Sequence, residues 1–98
     1  MSQFSFDFSY EDDYDSSSIE NALSSVFEDK YGFEILGVDF RSVDYSMYSE
    51  YADVNTSQCG VDFKWTQDYN DKAILRDVES ALDSLRYPLI GCDFNSVN

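Results

Sequence analysis

The stretch Gln3-Phe-Ser-Phe-Asp-Phe-Ser-Tyr10 places an aromatic side chain at every second residue, with serine and aspartate between them. Because the side chains of a strand point alternately to its two faces, this period of two predicts a β-strand over residues 3–10 with one buried face. The Asp-Phe pair of this stretch recurs in three later segments, which predict strands over residues 33–43, 60–66 and 89–95. The repeated tripeptides are Phe6-Asp7-Phe8, Val38-Asp39-Phe40, Val61-Asp62-Phe63 and Cys92-Asp93-Phe94.

The segment after the first strand carries apolar residues at helical spacing and predicts a first helix. Ser16–Ser18 supplies candidate N-caps, and Ser17 with Glu20 forms the pattern of a capping box. The helix is expected to run to about Lys30, where Gly32 closes it. Its apolar positions are Ile19, Leu23, Val26 and Phe27.

A second helix is predicted before the last strand, with Asn70 or Asp71 as its cap and Pro88 beyond its end. Its apolar positions follow the spacing i, i+4, i+7, i+8 and i+11, at Ile74, Val78, Ala81, Leu82 and Leu85. Strands two and three have no helical stripe or proline between them, so they are expected to form a long hairpin around Ser49 to Asp53.

The predicted order, β-α-β-β-α-β, is that of the ferredoxin-like fold, an α+β arrangement with two helices on one face of a four-stranded antiparallel sheet. The 98 residues are expected to form a single domain, residues 1–98. The two halves of the chain also match, which predicts an internal βαβ pseudo-repeat with a pseudo-twofold axis. Common ancestry and shared structural need both explain such a match. The matching stretches are Ile19-Glu-Asn-Ala-Leu-Ser-Ser-Val26 with Val78-Glu-Ser-Ala-Leu-Asp-Ser-Leu85, and Gly37-Val-Asp-Phe-Arg-Ser-Val-Asp44 with Gly91-Cys-Asp-Phe-Asn-Ser-Val-Asn98.

The aspartates of the four tripeptides are expected to face solvent, because burying four unpaired carboxylates is too costly. They would form a row across the open sheet face, about 4.8 Å apart from strand to strand. Three interpretations stay open: a cross-strand salt ladder with Arg41 and Lys64, an acidic floor for a basic partner, and a divalent cation site. The aspartates are Asp7, Asp39, Asp62 and Asp93, and two residues before each stands a small residue, Ser5, Gly37, Gly60 or Gly91.

The missing residue types exclude most catalytic chemistry. Without histidine the chain lacks the commonest general base and the commonest transition-metal ligand. It contains neither G-x-x-x-x-G-K-[ST] nor G-x-G-x-x-G, the two glycine-rich motifs that bind phosphate groups. Cys59 and Cys92 are interpreted as reduced core residues, on strands that strand one separates by about 10 Å, beyond the reach of a disulfide. The chain is therefore expected not to be an enzyme, to have no catalytic residues, and to bind no cofactor or metal.

The charge balance of 6 bases against 20 acids gives −14, which argues against binding to nucleic acid phosphates or to an anionic membrane surface. The partner is expected to be basic. Inward-pointing aromatics also argue against RNA recognition on the open sheet face. With no apolar run long enough for a membrane span and no leader pattern, the chain is expected to be cytoplasmic and unprocessed.

Three further groups of residues are candidates for contact with a partner. Residues 11–15 are the densest acidic cluster, although acids at a helix N-terminus also have a plain stabilising role. Glu28 and Asp29 lie at the end of helix one, where negative charge opposes the helix dipole, which suggests another use. A tyrosine-rich hairpin arm, residues 44–58, resembles a protein interface, with a second small sheet as the alternative. The cluster contributes Glu11, Asp12, Asp13 and Asp15, and the arm has Asp44, Glu50 and Asp53 among Tyr45, Tyr48 and Tyr51.

In size, charge and compactness the chain resembles phage-encoded DNA mimics, and it is similar to the anti-CRISPR proteins that block type I surveillance complexes, type I-F included. The resemblance rests on no shared motif, so it assigns no residue. It implies an inhibitor that occupies the basic DNA-binding surface of its target in the host cytoplasm. Mimics directed at restriction enzymes, glycosylases or histone-like proteins share the same size, charge and compactness, so these properties do not distinguish between the targets. The alternative is a ferredoxin-like interaction or dimerisation module whose acidity serves solubility or salt adaptation. Monomer and homodimer both stay open.

Overall fold

A computed structural model describes residues 2–45, 47–48, 53–65 and 68–96 of the chain, with residues 95 and 96 described by backbone only. The four predicted strands and two helices are present, in the order β-α-β-β-α-β. The first helix continues beyond Ser24 as a π-helical segment, Ser25–Lys30. The elements are β1 Ser2–Tyr10, α1 Ser16–Ser24, β2 Glu34–Ser42, β3 Asn55–Lys64, α2 Asp71–Ser84 and β4 Leu89–Ser96.

The four strands form one antiparallel sheet in the order β2-β3-β1-β4. The architecture is α+β and is consistent with the ferredoxin-like class. Both helices pack on one face of the sheet, since their apolar residues join those of the strands in a single core. The fully buried part of that core contains Phe4, Phe6, Phe8, Ile19, Leu23, Phe27, Cys59, Val61, Phe63, Ile74, Val78 and Leu82.

Strand β3 begins at Asn55, five residues earlier than the sequence pattern indicates. Its polar first half pairs with β1, from Tyr10 opposite Asn55 to Asp7 opposite Gln58. Ser57 points into the core side of the sheet, where its hydroxyl donates to the carbonyl of Arg41 at 3.0 Å. The predicted hairpin falls at residues 49–53, of which 49–52 lie outside the described residues.

Helix α1 is capped by Asp15 and not by one of the serines that follow it. The Asp15 carboxylate accepts from the backbone N–H of Ser17 and from the hydroxyl of Ser18, both at 3.0 Å. The expected capping box of Ser17 is therefore wrong, because Asp15 takes the N-cap position two residues earlier. Gly32 ends the π-helical segment with a φ of 71°, a conformation that favours glycine.

The two helices are joined by a contact between the end of the π-helical segment and the middle of α2. Asp77 accepts from the Tyr31 hydroxyl at 2.5 Å and lies 2.9 Å from the Lys30 ammonium group. The hydrogen bond from Tyr31, followed by that from Lys30, lowers the pKa of Asp77. Burial, followed by the bond to Asp77, raises the pKa of Tyr31 to about 12.

The two cysteines are both free, but only one of them is in the core. Cys59 is fully buried, and burial raises its pKa to about 12. Cys92 is exposed, so its expected place in the core is wrong. The alternation of side chains places Cys92 on the helix side of the sheet. Its side chain is nevertheless exposed, because β4 is an edge strand and α2 does not cover Cys92. Phe94, two residues further on, is half-buried and stacks on Phe4.

Within the described part of the chain, no helix has the length and apolar character required to cross a membrane.

Candidate partner-binding surface

The acidic loop, residues 11–15, leaves the end of β1 and is anchored through Tyr14. The Tyr14 ring packs edge-on against Phe8, with 5.1 Å between ring centroids, and stacks on Phe40 at 5.6 Å. The backbone N–H of Tyr14 donates to the Asp13 carboxylate at 2.8 Å. An aromatic side chain in the middle of the cluster therefore holds the loop against the sheet.

Two further hydrogen bonds hold the ends of this loop. The Asn55 side chain donates to the backbone carbonyl of Glu11, and the backbone N–H of Asp15 donates to the Tyr87 hydroxyl at 3.1 Å. Asp15 also caps α1. Glu11, Asp12 and Asp13 consequently project into solvent from a backbone that neighbouring elements hold in place.

The acidic loop shares its end of the sheet with two more exposed carboxylates. Asp53 comes just before β3, whose first residue pairs with the last residue of β1. Asp44 follows β2, and the carbonyl of Val43 accepts from the Thr56 hydroxyl at 2.7 Å. Exposed carboxylates on two connections, β1 to α1 and β2 to β3, therefore meet at one end of the molecule, called here the acidic end: Glu11, Asp12, Asp13, Asp44 and Asp53.

A cation lies at the border of the acidic end. Arg86 follows α2 with a φ of 67°, an uncommon conformation for a residue with a side chain. It lines a shallow depression of about 170 Å³ together with Glu11 and Val54. Among the described residues no ion pair involves Arg86.

The sheet-face aspartates do not form the row that the tripeptide repeat suggests. The strand register places Asp7 opposite Gln58 and Asp62 opposite Gln3 across the central pair of strands. Side-chain alternation determines which face a residue occupies but leaves its position along the neighbouring strand open. The expected row is therefore wrong: the four aspartates are staggered, and none is paired directly with another.

Each sheet-face aspartate stands opposite one of the small residues of a neighbouring strand. Because aspartate and small residue are two positions apart on antiparallel strands, the pairing is reciprocal. On β2 and β3, Asp39 faces Gly60 and Asp62 faces Gly37. On β1 and β4, Asp7 faces Gly91 and Asp93 faces Ser5. At Gly60 the facing carboxylate of Asp39 occupies the space that a β-carbon would fill, whereas a β-carbon at Gly37 or Gly91 would meet nothing within 4 Å.

Two glutamines bind two of these carboxylates across the centre of the sheet. The Gln3 amide donates to Asp62 at 3.0 Å, and the Gln58 amide donates to Asp7 at 2.9 Å. Asp7 and Asp62 are half-buried as a result, while Asp39 and Asp93 are exposed. The expectation that all four remain accessible therefore holds fully for the outer pair only.

The cross-strand salt ladder is not formed. Arg41 is paired with Gln58, and Lys64 is paired with Glu34, so neither base faces an aspartate of the tripeptides. Neither base has an ion pair in the part of the chain that the structure describes. In the same part, no three carboxylate or thiol side chains come together as a metal site would require.

A cleft of about 240 Å³ opens on the sheet face beneath Tyr45, a residue that was expected on an exposed arm. The hydroxyl of Tyr45 reaches back and donates to Asp7. Its ring lies 5.9 Å from the ring of Tyr48, which is 55% exposed. The cleft is lined by Ser5, Phe6, Asp7, Tyr45, Gln58, Gly91, Cys92 and Asp93. The segment that follows β2 thus covers part of the open face, which only the tertiary structure reveals.

Glu28 and Asp29 are exposed but lie away from the acidic loop. They stand thirteen and fourteen residues beyond Asp15 along one continuous helical segment, which corresponds to about 20 Å. Glu28 accepts from the Ser24 hydroxyl at 2.7 Å. The ten predicted contact residues therefore occupy three places: the acidic loop, the far end of the first helix and the open sheet face.

Comparison with known proteins identifies the fold and nothing beyond it. No protein-family model and no curated protein matches the chain. A formyltetrahydrofolate deformylase from Pseudomonas putida KT2440 is similar, with a TM-score of 0.56 and 4% identity over 99% of this chain and 29% of that chain. The full extracellular region of zebrafish Gpr126/Adgrg6 is also similar, with a TM-score of 0.60 and 13% identity over 99% of this chain and 13% of that chain. The chain thus spans less than a third of either protein.

Proposed function

We propose that this protein is an acidic DNA mimic, which inhibits a DNA-binding protein by occupying the basic surface that would otherwise hold duplex DNA. The observation that carries the proposal is the anchored acidic loop. Flexible carboxylates would lose conformational entropy on docking, whereas Glu11, Asp12 and Asp13 are displayed from a backbone held by Tyr14 and Asn55.

The dimensions and charge of the molecule also fit a short duplex. The molecule is elongated, at 41 × 25 × 21 Å. Duplex DNA carries one charge per roughly 1.7 Å, so the net charge of −14 corresponds to about 24 Å, or about seven base pairs. A duplex segment of that length is shorter than the long axis of the protein.

The fold proposed for this mimic is the ferredoxin-like fold built from two βαβ halves. The two Gln-Asp hydrogen bonds support it, because Gln3 and Asp7 occupy positions in β1 equivalent to those of Gln58 and Asp62 in β3. The edge strands support it as well. A register shift at Leu36 in β2 is matched by one at Ile90 in β4, in each case just before the glycine.

The proposed target is a type I CRISPR surveillance complex, type I-F among them, on the strength of the resemblance in size, charge and compactness. The protein would act in the cytoplasm of the host cell, without catalysis and without a cofactor. Within the candidate surface the acidic end ranks first, since Glu28, Asp29 and the sheet-face aspartates lie elsewhere. Asp15 contributes through its place as the helix cap.

The test is competition with labelled duplex DNA on purified type I surveillance complexes. A variant with Glu11→Gln, Asp12→Asn and Asp13→Asn leaves the Asp15 cap in place and is expected to lose most of the competition. A matched variant with Glu20→Gln, Glu28→Gln and Asp29→Asn removes the same charge elsewhere and should keep it. Circular dichroism verifies that both variants fold.

Two results would contradict the proposal. If no DNA-binding target is displaced by the parent protein at low salt, mimicry is wrong. If both variants weaken the competition equally, net charge alone acts and the acidic end is not the contact surface. Binding should also weaken as salt rises, because charges at the rim of an interface govern association.

A second candidate is an interaction or dimerisation module of the same fold. It is favoured by the comparisons, because this fold makes up only 29% and 13% of the two similar chains, so it occurs there as part of a larger protein. Sedimentation at varied salt distinguishes the two candidates. A dimer at physiological salt with no displacement of DNA would support the module.

A further inference from the structure

The outer edge of β4 is interrupted by a bulge near its start and is regular after it. β4 ends the strand order, so its outer backbone groups have no strand partner within the described residues. The pairing with β1 shifts between Asp7 opposite Gly91 and Phe8 opposite Leu89, which leaves Ile90 as an extra residue. Beyond this bulge, residues 91–96 pair regularly with β1 and offer one uninterrupted edge.

A groove of about 210 Å³ runs beside this edge, between β4 and α2. Apolar side chains and polar groups share its lining, which consists of Leu75, Glu79, Leu89, Ile90, Gly91 and Cys92. Ile90 of the bulge lines the groove together with Leu75 and Glu79, which lie one helical turn apart on the same side of α2. A strand added to the edge would therefore have a place for an apolar side chain as well as partners for its backbone.

The groove is negatively charged at its border. Glu79 of α2 lines the groove together with the exposed thiol of Cys92, and Asp93 follows Cys92 on β4 with its side chain on the opposite face of the sheet. Burial first, then the charge of Asp93 and that of Glu79, raise the pKa of Cys92. No ion pair neutralises Glu79 among the residues that the structure describes.

We propose that the β4 edge and its groove form a docking site for an extended, basic segment of a partner protein, which adds to the sheet as a fifth strand. The backbone of the segment would pair with residues 91–96, an apolar side chain would enter the groove, and a lysine or arginine on the same face of the segment would lie beside Glu79. A second copy of the chain is disfavoured as the occupant, since it would bring another 14 net negative charges to an acidic edge. This site is separate from the acidic end, and it does not depend on mimicry of DNA.

The exposed thiol makes the site testable in the intact protein. Cys92 should react with Ellman's reagent in the native state, whereas the buried Cys59 should not, and Cys92→Ser identifies the fast signal. The probe is a capped peptide of about eight residues in which valine and lysine take turns along one face and threonine occupies the other. With a Kd of about 0.5 mM, about 1 mM peptide should slow labelling of Cys92 about threefold, because the rate falls as 1 + [peptide]/Kd.

Four control measurements decide the mode of binding. The same peptide with methyl groups on alternate backbone nitrogens, and one with glutamate in place of lysine, should both give no protection. Ile90→Ser should reduce protection by the unmodified peptide, and Glu79→Gln should reduce it further at low salt.

The proposal is overturned if the lysine peptide gives no protection, or if the methylated peptide protects equally well, since binding would then not need a strand edge. Protection that increases with protein concentration, together with a dimer in sedimentation, would assign the edge to a second copy instead. Displacement of DNA without protection of Cys92 would leave mimicry standing and remove this site alone.

Discussion

The carboxylate of Asp39 lies over Gly60, the residue that it faces on the neighbouring strand. Its Oδ1 atom is 2.6 Å from the position that a β-carbon would take at Gly60. A β-carbon at Gly37, the other small residue of the same strand pair, would meet nothing within 4 Å. Gly37 and Gly60, each two residues before an aspartate, therefore differ in whether a carboxylate occupies the space above them.

We expect Gly37→Ala to stabilise the protein by about 0.5 to 1 kcal/mol, because glycine in a strand costs conformational entropy. Gly60→Ala should gain less, since the Asp39 side chain has to rotate away. Adding Asp39→Ser to Gly60→Ala should bring the gain back to that of Gly37→Ala. Urea unfolding of the variants measures the differences, and equal gains for the two alanines would show that Asp39 moves without cost.

The orientation of the Asp-Phe pairs predicts unequal effects of neighbouring substitutions. Phe63 is fully buried, with ring centroids of Phe27 and Tyr69 at 4.8 and 5.5 Å, so Phe63→Ala should cost about 3 to 5 kcal/mol. Asp62→Asn keeps an acceptor for Gln3 and removes a charge, so it should cost little or stabilise. Denaturant melts that show equal losses would contradict the assignment of the two faces.

The contact of Tyr31 with Asp77 predicts a pH dependence. Asp77 has a lowered pKa when folded, so its stabilising effect is present above the ordinary aspartate range and is lost as pH falls through the folded pKa. Tyr31, with a pKa of about 12, stabilises below its ordinary value of about 10 and loses this effect as pH rises toward 12. Tyr31→Phe should cost about 1 kcal/mol at pH 7.

Urea melts of the parent and Tyr31→Phe at pH 3, 7 and 11 would measure this dependence. The difference between the two proteins should be largest at pH 7 and smaller at both extremes. A difference that does not change with pH would mean that the ring packs but its hydroxyl contributes nothing.

The excess of acids predicts a stabilising effect of moderate salt. Raising the salt concentration from about 0.01 to 0.15 M shortens the Debye length from about 30 to 8 Å, so repulsion between carboxylates weakens. The melting temperature should therefore rise. A fall would show that attractive pairs such as Lys30 with Asp77 dominate the electrostatics. A requirement for molar salt would favour adaptation to salt over mimicry.

The strands with inward phenylalanines could be predicted from the sequence because their alternation is a local property. Their register could not, since the positions of Asp7 and Asp62 along neighbouring strands depend on contacts between distant segments. The first half of β3 was missed because its side chains are polar, and Ser57 is buried only through its tertiary pairing.

The candidate site was predicted in composition but not in arrangement. Residues 11–15 are visible as an acidic cluster, yet their anchoring through Tyr14 and Asn55 depends on β2 and β3. Cys92 has the alternation of a core residue and is exposed, because cover by a helix is a property of the whole fold. Tyr45 could not be placed over Asp7 from its neighbours in sequence.

The strand order has a consequence for how the chain acquires its structure. β1 and β2 belong to the first half of the chain, but β3 lies between them, and β1 in turn separates β3 from β4. Neither half therefore contains two strands that pair with each other, and neither can assemble any sheet in isolation. Only the hairpin of β2 and β3, which spans the two halves, can pair locally, and β1 must wait for segments more than 50 residues apart to meet, such as Gln3 with Asp62. A chain cut between the halves should regain structure only when the two fragments are mixed.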